Sequence, residues 1–293
     1  MPSLKEVKSR ITSVVSTQQI TKAMKMVAAA KLRRSQDRIL QMRPFAQKMS
    51  TILQNLSANA SQDGDNWYSK VRSEKKVLII AISSDRGLCG SFNSTIFKGV
   101  QRLIAEKYAQ QMEQRNVVIL PIGKRAFEFF SKRNYPVVAD YWDVFHGLSF
   151  DKASRIAEYA MENFRKGEYD RVEIVYNYFK NVATQILMTE QYLPVRPIEV
   201  KSRKVEADYI FQPDQQEIMS GLIPKSLKVQ LYKAILDSNA AENGARMTAM
   251  DKATENAGEL LKALRLTYNR TRQAAITKEI LEIVAGAEAL KSA

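Results

Sequence analysis

Residues 84–91, Ser-Asp-Arg-Gly-Leu-Cys-Gly-Ser, have the composition of a loop that could bind phosphate. They follow an apolar, β-branched run at residues 76–83 and precede a helical pattern. Phosphate groups often bind where a glycine-bearing loop enters a helix N-terminus. However, neither G-x-x-x-x-G-K-[ST] nor G-x-G-x-x-G occurs in the chain. A tight turn that needs a positive φ at Gly87 or Gly90 is therefore the simpler interpretation.

Cys89 and His146 are the single cysteine and the single histidine. Arg86 would lower the pKa of the Cys89 thiol, but no histidine lies near Cys89 in sequence, which favours a packed, unreactive side chain. His146 follows a predicted strand without a recognisable catalytic partner and is expected in a loop or at the surface. One residue of each type excludes an internal disulfide and a multi-histidine metal site. We assign no catalytic, cofactor-binding or metal-binding residue.

The basic side chains are concentrated at the start of the chain. Of the 293 residues, the first 60 carry eleven basic and two acidic side chains, and the net charge is +14. A basic stripe can bind nucleic acid, an anionic membrane or an acidic protein. Two alternatives stay open on this ground: a basic coiled-coil protein that binds nucleic acid, and a phosphate-handling enzyme that uses residues 85–91.

Targeting signals are absent from the sequence as read. No apolar run approaches the roughly 20 residues that span a bilayer. The N-terminus has neither an apolar signal core nor an arginine- and serine-rich leader. We therefore expect a soluble, intracellular chain.

Residues 1–58 are predicted to form one long helix. Steps of three and four residues from Leu4 to Leu56 give sixteen positions, of which twelve are apolar, and this spacing is typical of a coiled-coil seam. The seam weakens between Gln18 and Lys25, where Ile20, Met24 and Val27 suggest a shifted phase. Pro44 is expected to kink the helix.

Residues 208–293 are predicted to form the second coiled-coil helix, paired with residues 1–58. A first apolar phase runs from Met247 to Tyr268 and a second consists of Ile276, Ile280, Ile283, Ala287 and Leu290. Because both phases are taken as one seam, Ile280 is expected to be buried between the helices. The economical model is an antiparallel coiled coil with a domain inserted between its strands.

The inserted domain, residues 74–195, is predicted to be Rossmann-like α/β. Strands are predicted at residues 76–83, 117–122 and 137–144, and a hairpin at 171–179 and 184–193. Helices are predicted at residues 93–112, 124–133 and 151–166. The fold class is thus mixed α+β and α/β, with a mostly parallel sheet, one antiparallel edge and two long terminal helices.

Several long motifs resemble one protein family. They are Thr21-Lys22-Ala23-Met24-Lys25-Met26-Val27-Ala28-Ala29-Ala30-Lys31, Ser84-Asp85-Arg86-Gly87-Leu88-Cys89-Gly90, Arg246-Met247-Thr248-Ala249-Met250, and the stretch from Tyr268 to Ala287. Together they closely resemble the gamma subunits of F-type ATP synthases of the bacterial type, and the resemblance extends from end to end. The inserted cysteine-pair segment of the chloroplast form is absent, so thiol regulation is not expected.

The resemblance implies a non-catalytic central-stalk rotor shaft that couples proton-driven rotation of the c ring to the catalytic beta subunits. One copy would stand in a ring of three alpha and three beta subunits and would also contact the epsilon subunit. No cofactor and no nucleic acid is implied. Membrane association would occur through the complex only, at the cytoplasmic face of the bacterial plasma membrane.

The resemblance also assigns residues to contacts. Rotor–stator contacts are assigned to Met24, Lys25, Arg246, Arg272, Gln273, Thr277 and Glu279. An apolar sleeve around the shaft tip would contact Ile283, Val284, Ala287 and Leu290. The foot on the c ring would consist of Tyr209, Phe211 and Gln212, where many members carry an acidic residue in place of Gln212.

Overall fold

The structure is a computed structural model of the chain, and it describes residues 3–59, 67–195 and 215–291. It divides into two compact units: Met1–Ala28 with Met247–Ala293, and Ala29–Arg246. Two long helices, α1 (Leu4–Asn59) and α6 (Gln215–Lys291), contribute to both units. Pro44 lies inside α1 and Pro224 inside α6. None of the described helices combines the length and the apolarity needed to cross a membrane.

The second unit contains a four-stranded sheet in the order β2-β1-β3-β4. Its strands are β1 (Val77–Ile82), β2 (Val117–Ile122), β3 (Arg171–Phe179) and β4 (Gln185–Leu193). β1 pairs in parallel with β2 and β3, and β4 runs antiparallel to β3 at the edge. The predicted hairpin and the predicted antiparallel edge are therefore confirmed.

Helices cover both faces of the sheet because the side chains of each strand alternate between them. Val77, Ile79 and Ala81 of β1 belong to the core formed with α2 (Phe92–Lys107) and α4 (Lys124–Ser131). The intervening residues of β1, such as Leu78 and Ile80, belong to the core formed with α5 (Phe150–Lys166) and α6. All six residues of β1 are buried, which explains its continuous apolar sequence.

The predicted third strand at residues 137–144 is wrong. Only Val137 forms a bridge, parallel to Ile119, and the chain then turns. The apolar residues of this segment, Val144 fully and Tyr141 partly buried, pack into the core from a turn and not from a β-ladder. Periodicity alone does not distinguish these two ways of burying a short apolar run.

The predicted helix at residues 93–112 is divided in two. α2 ends at Lys107, Tyr108 has φ −127°, and α3 (Ala109–Glu113) follows. The Tyr108 ring is buried, and its hydroxyl donates a hydrogen bond of 2.8 Å to the Glu173 carboxylate on β3. This contact explains why the chain leaves helical geometry at Tyr108.

Candidate functional site: the 84–90 loop and the paired helices

The 84–90 loop, residues 84–90, connects β1 to α2, and several of its polar atoms form hydrogen bonds within the chain. The Ser84 hydroxyl lies 2.7 Å from the carbonyl oxygen of Arg86, and the Ser84 amide donates to Asn93 Oδ1 at 3.0 Å. The Asp85 carboxylate accepts a hydrogen bond of 3.1 Å from the amide of Lys124, the first residue of α4. The Asp85 carboxylate therefore lies at the N-terminus of α4 and connects the loop to that helix.

The turn prediction is confirmed at Gly90, which has φ 59°. Leu88 also has a positive φ of 63°, although its side chain is 67% exposed. A non-glycine residue in this conformation is strained, and the surrounding hydrogen bonds must hold it there.

Cys89 and His146 have contrasting environments. Cys89 is 1% exposed, and burial raises the pKa of its thiol against the lowering effects of Ser84 and Arg246. This environment agrees with the packed side chain expected from the sequence. His146 is exposed at the end of a turn, where its amide donates to Asp143. Among the described residues, no group of histidine, cysteine and carboxylate side chains could hold a metal ion.

A polar layer connects α1 and α6 within the first unit. Lys25 Nζ lies 2.5 Å from Asp251 Oδ1, the Thr21 and Thr254 hydroxyls are 2.8 Å apart, and Gln18 Nε2 lies 3.5 Å from the Thr254 carbonyl oxygen. The predicted phase shift is therefore wrong, because the seam continues through these polar residues.

The side chains of the proposed shifted phase confirm this correction. Ile20 is 59% exposed and Val27 56% exposed, whereas Thr21 is 8% and Ala28 is 1% exposed. Met24, beside Lys25, is half-buried. The polar seam in α1 has a matching polar position in α6, Thr254, between Met250 and Ala257 in three-and-four spacing. A polar interruption of the apolar seam in both α1 and α6 was the sequence signal from which this pairing could have been predicted.

Arg246 is bound within the chain. Its guanidinium donates to the carbonyl oxygens of Gly87 and Arg86, the second at 3.3 Å, and pairs with the Glu242 carboxylate one turn earlier on α6. The side chains of Arg246 and Glu242 are only 13% and 15% exposed. Burial raises the pKa of Glu242, an effect that Arg246 opposes.

The other assigned contact residues of α6 lie on an exposed stretch of the helix. Arg272, Gln273, Thr277 and Glu279 are all exposed, and the Thr277 hydroxyl donates to the Gln273 carbonyl oxygen. The assigned tip residues Ile283, Val284, Ala287 and Leu290 are exposed as well.

The expected burial of Ile280 is wrong, since this side chain is 55% exposed. The register set by Thr21–Thr254 and Lys25–Asp251 places the start of α1, Leu4, opposite about Thr271. α6 therefore extends about five helical turns beyond the start of α1. The apolar repeat from Ile276 onward has no facing α1 residue within the described chain.

One assigned set of residues cannot be located in the structure, and one buried cluster was missed in the sequence. Tyr209, Phe211 and Gln212, assigned to the foot, lie outside the described residues. A buried ion cluster around Glu173 was missed, in which one carboxylate oxygen accepts from Lys107 Nζ at 3.0 Å, Tyr108 Oη at 2.8 Å and Arg171 Nε at 3.0 Å. A glutamate at an inward position of an otherwise apolar strand was the available signal.

Comparison with known proteins places this arrangement in a family. The family model described as ATP synthase matches residues 3–290. The chain is 57% identical to the ATP synthase gamma chain of Cytophaga hutchinsonii over 100% of both sequences, and 54% identical to that of Flavobacterium psychrophilum over 99% of this chain and 100% of the relative. The chain belongs to the ATP synthase gamma chain family.

Solved structures of the family have the same fold. A chain of the Euglena gracilis mitochondrial ATP synthase, from the OSCP/F1/c-ring structure in rotational state 3, aligns with a TM-score of 0.65 at 21% identity, covering 98% of this chain and 94% of that one. A central stalk/c-ring structure from Tetrahymena thermophila aligns with a TM-score of 0.57 at 27% identity, covering 80% and 99%. The gamma-chain fold thus accounts for both the long helices and the four-stranded sheet.

Proposed function

We propose that this chain is the central-stalk rotor shaft of a bacterial ATP synthase. It would couple rotation of a membrane c ring, driven by protons, to conformational cycling of the catalytic beta subunits. The full-length match to bacterial gamma chains supports this function. The nucleic-acid alternative has no support from these relatives. The phosphate-enzyme alternative likewise has no support from these relatives.

The observation that carries the proposal is the unpaired end of α6. Ile276, Ile280, Ile283 and Leu290 are 47%, 55%, 71% and 83% exposed along about four turns of a single helix. An isolated helix of this kind gains little stability in water without a partner for its apolar side chains. A surrounding apolar sleeve, contacting Ile283, Val284, Ala287 and Leu290, would supply that partner.

A single shaft inside a threefold ring also provides a mechanism. One copy of this chain cannot present the same surface to three beta subunits at once. Each beta subunit would therefore contact a different side of the shaft, and rotation would favour a different conformation in each subunit in turn. The chain itself would carry no catalytic group, and the catalytic sites would lie on the beta subunits.

The side chains proposed to contact the stator ring differ in their exposure and in their contacts within the chain. Arg272, Gln273, Thr277 and Glu279 are exposed and could bind the stator ring directly. Lys25 is held by Asp251, so an acidic group on a beta subunit would compete with that carboxylate for the Lys25 ammonium group. Met24 would contact the same region of the beta subunit.

The remaining proposed contacts are with the c ring and the epsilon subunit. Tyr209, Phe211 and Gln212 would meet the c ring, and the epsilon subunit would bind beside the sheet. The chain would be peripheral, on the cytoplasmic side of the plasma membrane, and would associate with the membrane through the complex.

The test is reconstitution with alpha and beta subunits from a related bacterium. Native mass spectrometry should find one copy of this chain with three alpha and three beta subunits, and omission of the chain should abolish sustained ATP hydrolysis. A chain that remains monomeric and leaves the ATPase rate unchanged would refute the proposal.

A further inference from the structure

The 84–90 loop and α6 are joined by a small set of groups that belong entirely to this chain. The Arg246 guanidinium reaches two consecutive carbonyl oxygens of the loop, those of Arg86 and Gly87, and pairs with Glu242. A guanidinium can make these hydrogen bonds together because its donors are fixed in one plane. A lysine at the same position has a single charged nitrogen and cannot reproduce the fork.

The loop has a conformation that requires such support. Leu88 and Gly90 both have a positive φ, and the exposed Leu88 side chain adds no packing that could offset the strain. Away from α6, the loop is held by Asn93 of α2, which accepts from the Ser84 amide, and by the first two amides of α4, which donate to the Ser84 carbonyl oxygen and the Asp85 carboxylate. On the α6 side, the described contacts that hold its backbone come from Arg246.

We propose that Arg246 is a positioning residue that locks the 84–90 loop onto α6, with Glu242 orienting the guanidinium. This assignment goes beyond the rotor function and replaces the expected direct stator contact of Arg246. Because the guanidinium is largely buried and its donors are used inside the chain, its effect on any partner is exerted through the loop.

Cys89 provides a specific probe of the lock. It is the only cysteine of the chain, it lies in the loop, and it is 1% exposed. Its reaction with a thiol reagent such as a maleimide requires the loop to open. Arg246 lowers the pKa of the Cys89 thiol by its charge, so removing that charge by itself makes the thiol less reactive. Faster labelling of Cys89 after removal of the Arg246 charge therefore indicates opening of the loop and not a change in the pKa of the thiol.

The experiment measures the rate of Cys89 labelling in the free full-length chain under native conditions. Arg246→Gln should accelerate labelling about tenfold or more, as expected for the loss of charge-assisted hydrogen bonds. The labelling rate of Arg246→Lys should fall between those of Arg246→Gln and the unsubstituted chain. Arg265→Gln removes an exposed arginine from the same helix and should leave the labelling rate unchanged.

Urea dependence separates loop opening from global unfolding. Labelling through local opening changes little at low urea, whereas labelling through global unfolding rises steeply. Unchanged labelling in Arg246→Gln, equal acceleration in Arg265→Gln, or acceleration seen only with the steep urea dependence would each overturn the assignment. Because the assay uses the free chain, its outcome is independent of whether the chain assembles with alpha and beta subunits.

Discussion

Glu173 is a carboxylate with 3% of its side chain exposed, and its charge is balanced by the groups around it. Burial would raise the pKa of Glu173. Hydrogen bonds from Lys107 and Tyr108, with the charges of Lys107 and Arg171, outweigh burial and hold the pKa below its ordinary value. A carboxylate in this environment stabilises the folded state when it is ionised.

We predict that Glu173→Gln lowers the free energy of unfolding by about 2 to 3 kcal/mol, because it leaves Lys107 and Arg171 without their buried counter-charge. Urea denaturation at neutral pH measures this. Glu168→Gln is the control, since Glu168 pairs with Lys76 at an exposed site and should change stability by less than about 0.5 kcal/mol.

The Glu173 contribution should also depend on pH. Because the folded-state pKa lies below the unfolded-state value of about 4.3, the stabilisation is complete above that value and is lost as the pH falls through the folded-state pKa. The stability difference between Glu173→Gln and the unsubstituted chain should therefore be constant from neutral pH to about pH 5.5 and narrow below about pH 4. A difference that widens in acid would contradict the assignment.

At the scale of elements, Gly123 determines how β2 joins α4. Gly123 has φ +100°, and a Cβ there would lie 2.5 Å from the backbone oxygen of Ser83. Gly123→Ala should lower the free energy of unfolding by about 2 to 4 kcal/mol, since both the φ angle and the backbone contact are unfavourable. Gly147→Ala is the matched control: its φ is +75° but nothing lies within 4 Å, so only the smaller cost of about 1 kcal/mol is expected.

The part of α6 that is paired with α1 and the part beyond it should respond differently to an introduced carboxylate. Leu261 is 6% exposed and Ile280 is 55% exposed. In the free chain, Leu261→Asp should lower the free energy of unfolding by about 3 kcal/mol or more, and Ile280→Asp by less than about 0.5 kcal/mol. Thermal and urea denaturation measure both. Equal destabilisation would mean that Ile280 is paired after all.

The element predictions from sequence succeeded where burial dictates composition. The all-apolar β1, β2 and the hairpin β3–β4 were predictable because each is packed on the sheet and its residue types follow from that packing. The polar layer at Gln18, Thr21 and Lys25 was misinterpreted because its partners, Asp251 and Thr254, lie more than 220 residues away. The internal contacts of Arg246 were not predictable for the same reason, since its acceptors belong to a distant loop.

At the scale of the whole molecule, the net charge of +14 should govern how the chain meets its partners. Arg33, Arg34 and Arg38 are exposed on α1. Replacing all three with glutamine should slow association with an acidic partner about threefold or more at low salt and weaken the salt dependence of the rate. Stopped-flow or surface-based association kinetics with alpha and beta subunits measure this.

The control variant removes three positive charges from residues outside α1. Lys98, Arg102 and Lys132 are also exposed, and their replacement by glutamine changes the net charge equally. If both triple variants slow association to the same extent, the association rate depends on the net charge of the chain and not on Arg33, Arg34 and Arg38 in particular.

The exposed apolar end of α6 also distinguishes a free chain from a chain that is bound in the complex. A newly made chain displays Ile276, Ile280 and Ile283 on a single helix, and such a segment unfolds locally at little free-energy cost. Cellular proteases cut segments of this kind, whereas the proposed ring would shield them. Surplus copies would be removed and assembled copies spared, so the segment that is proposed to enter the ring would also keep the supply of this chain matched to that of its partners.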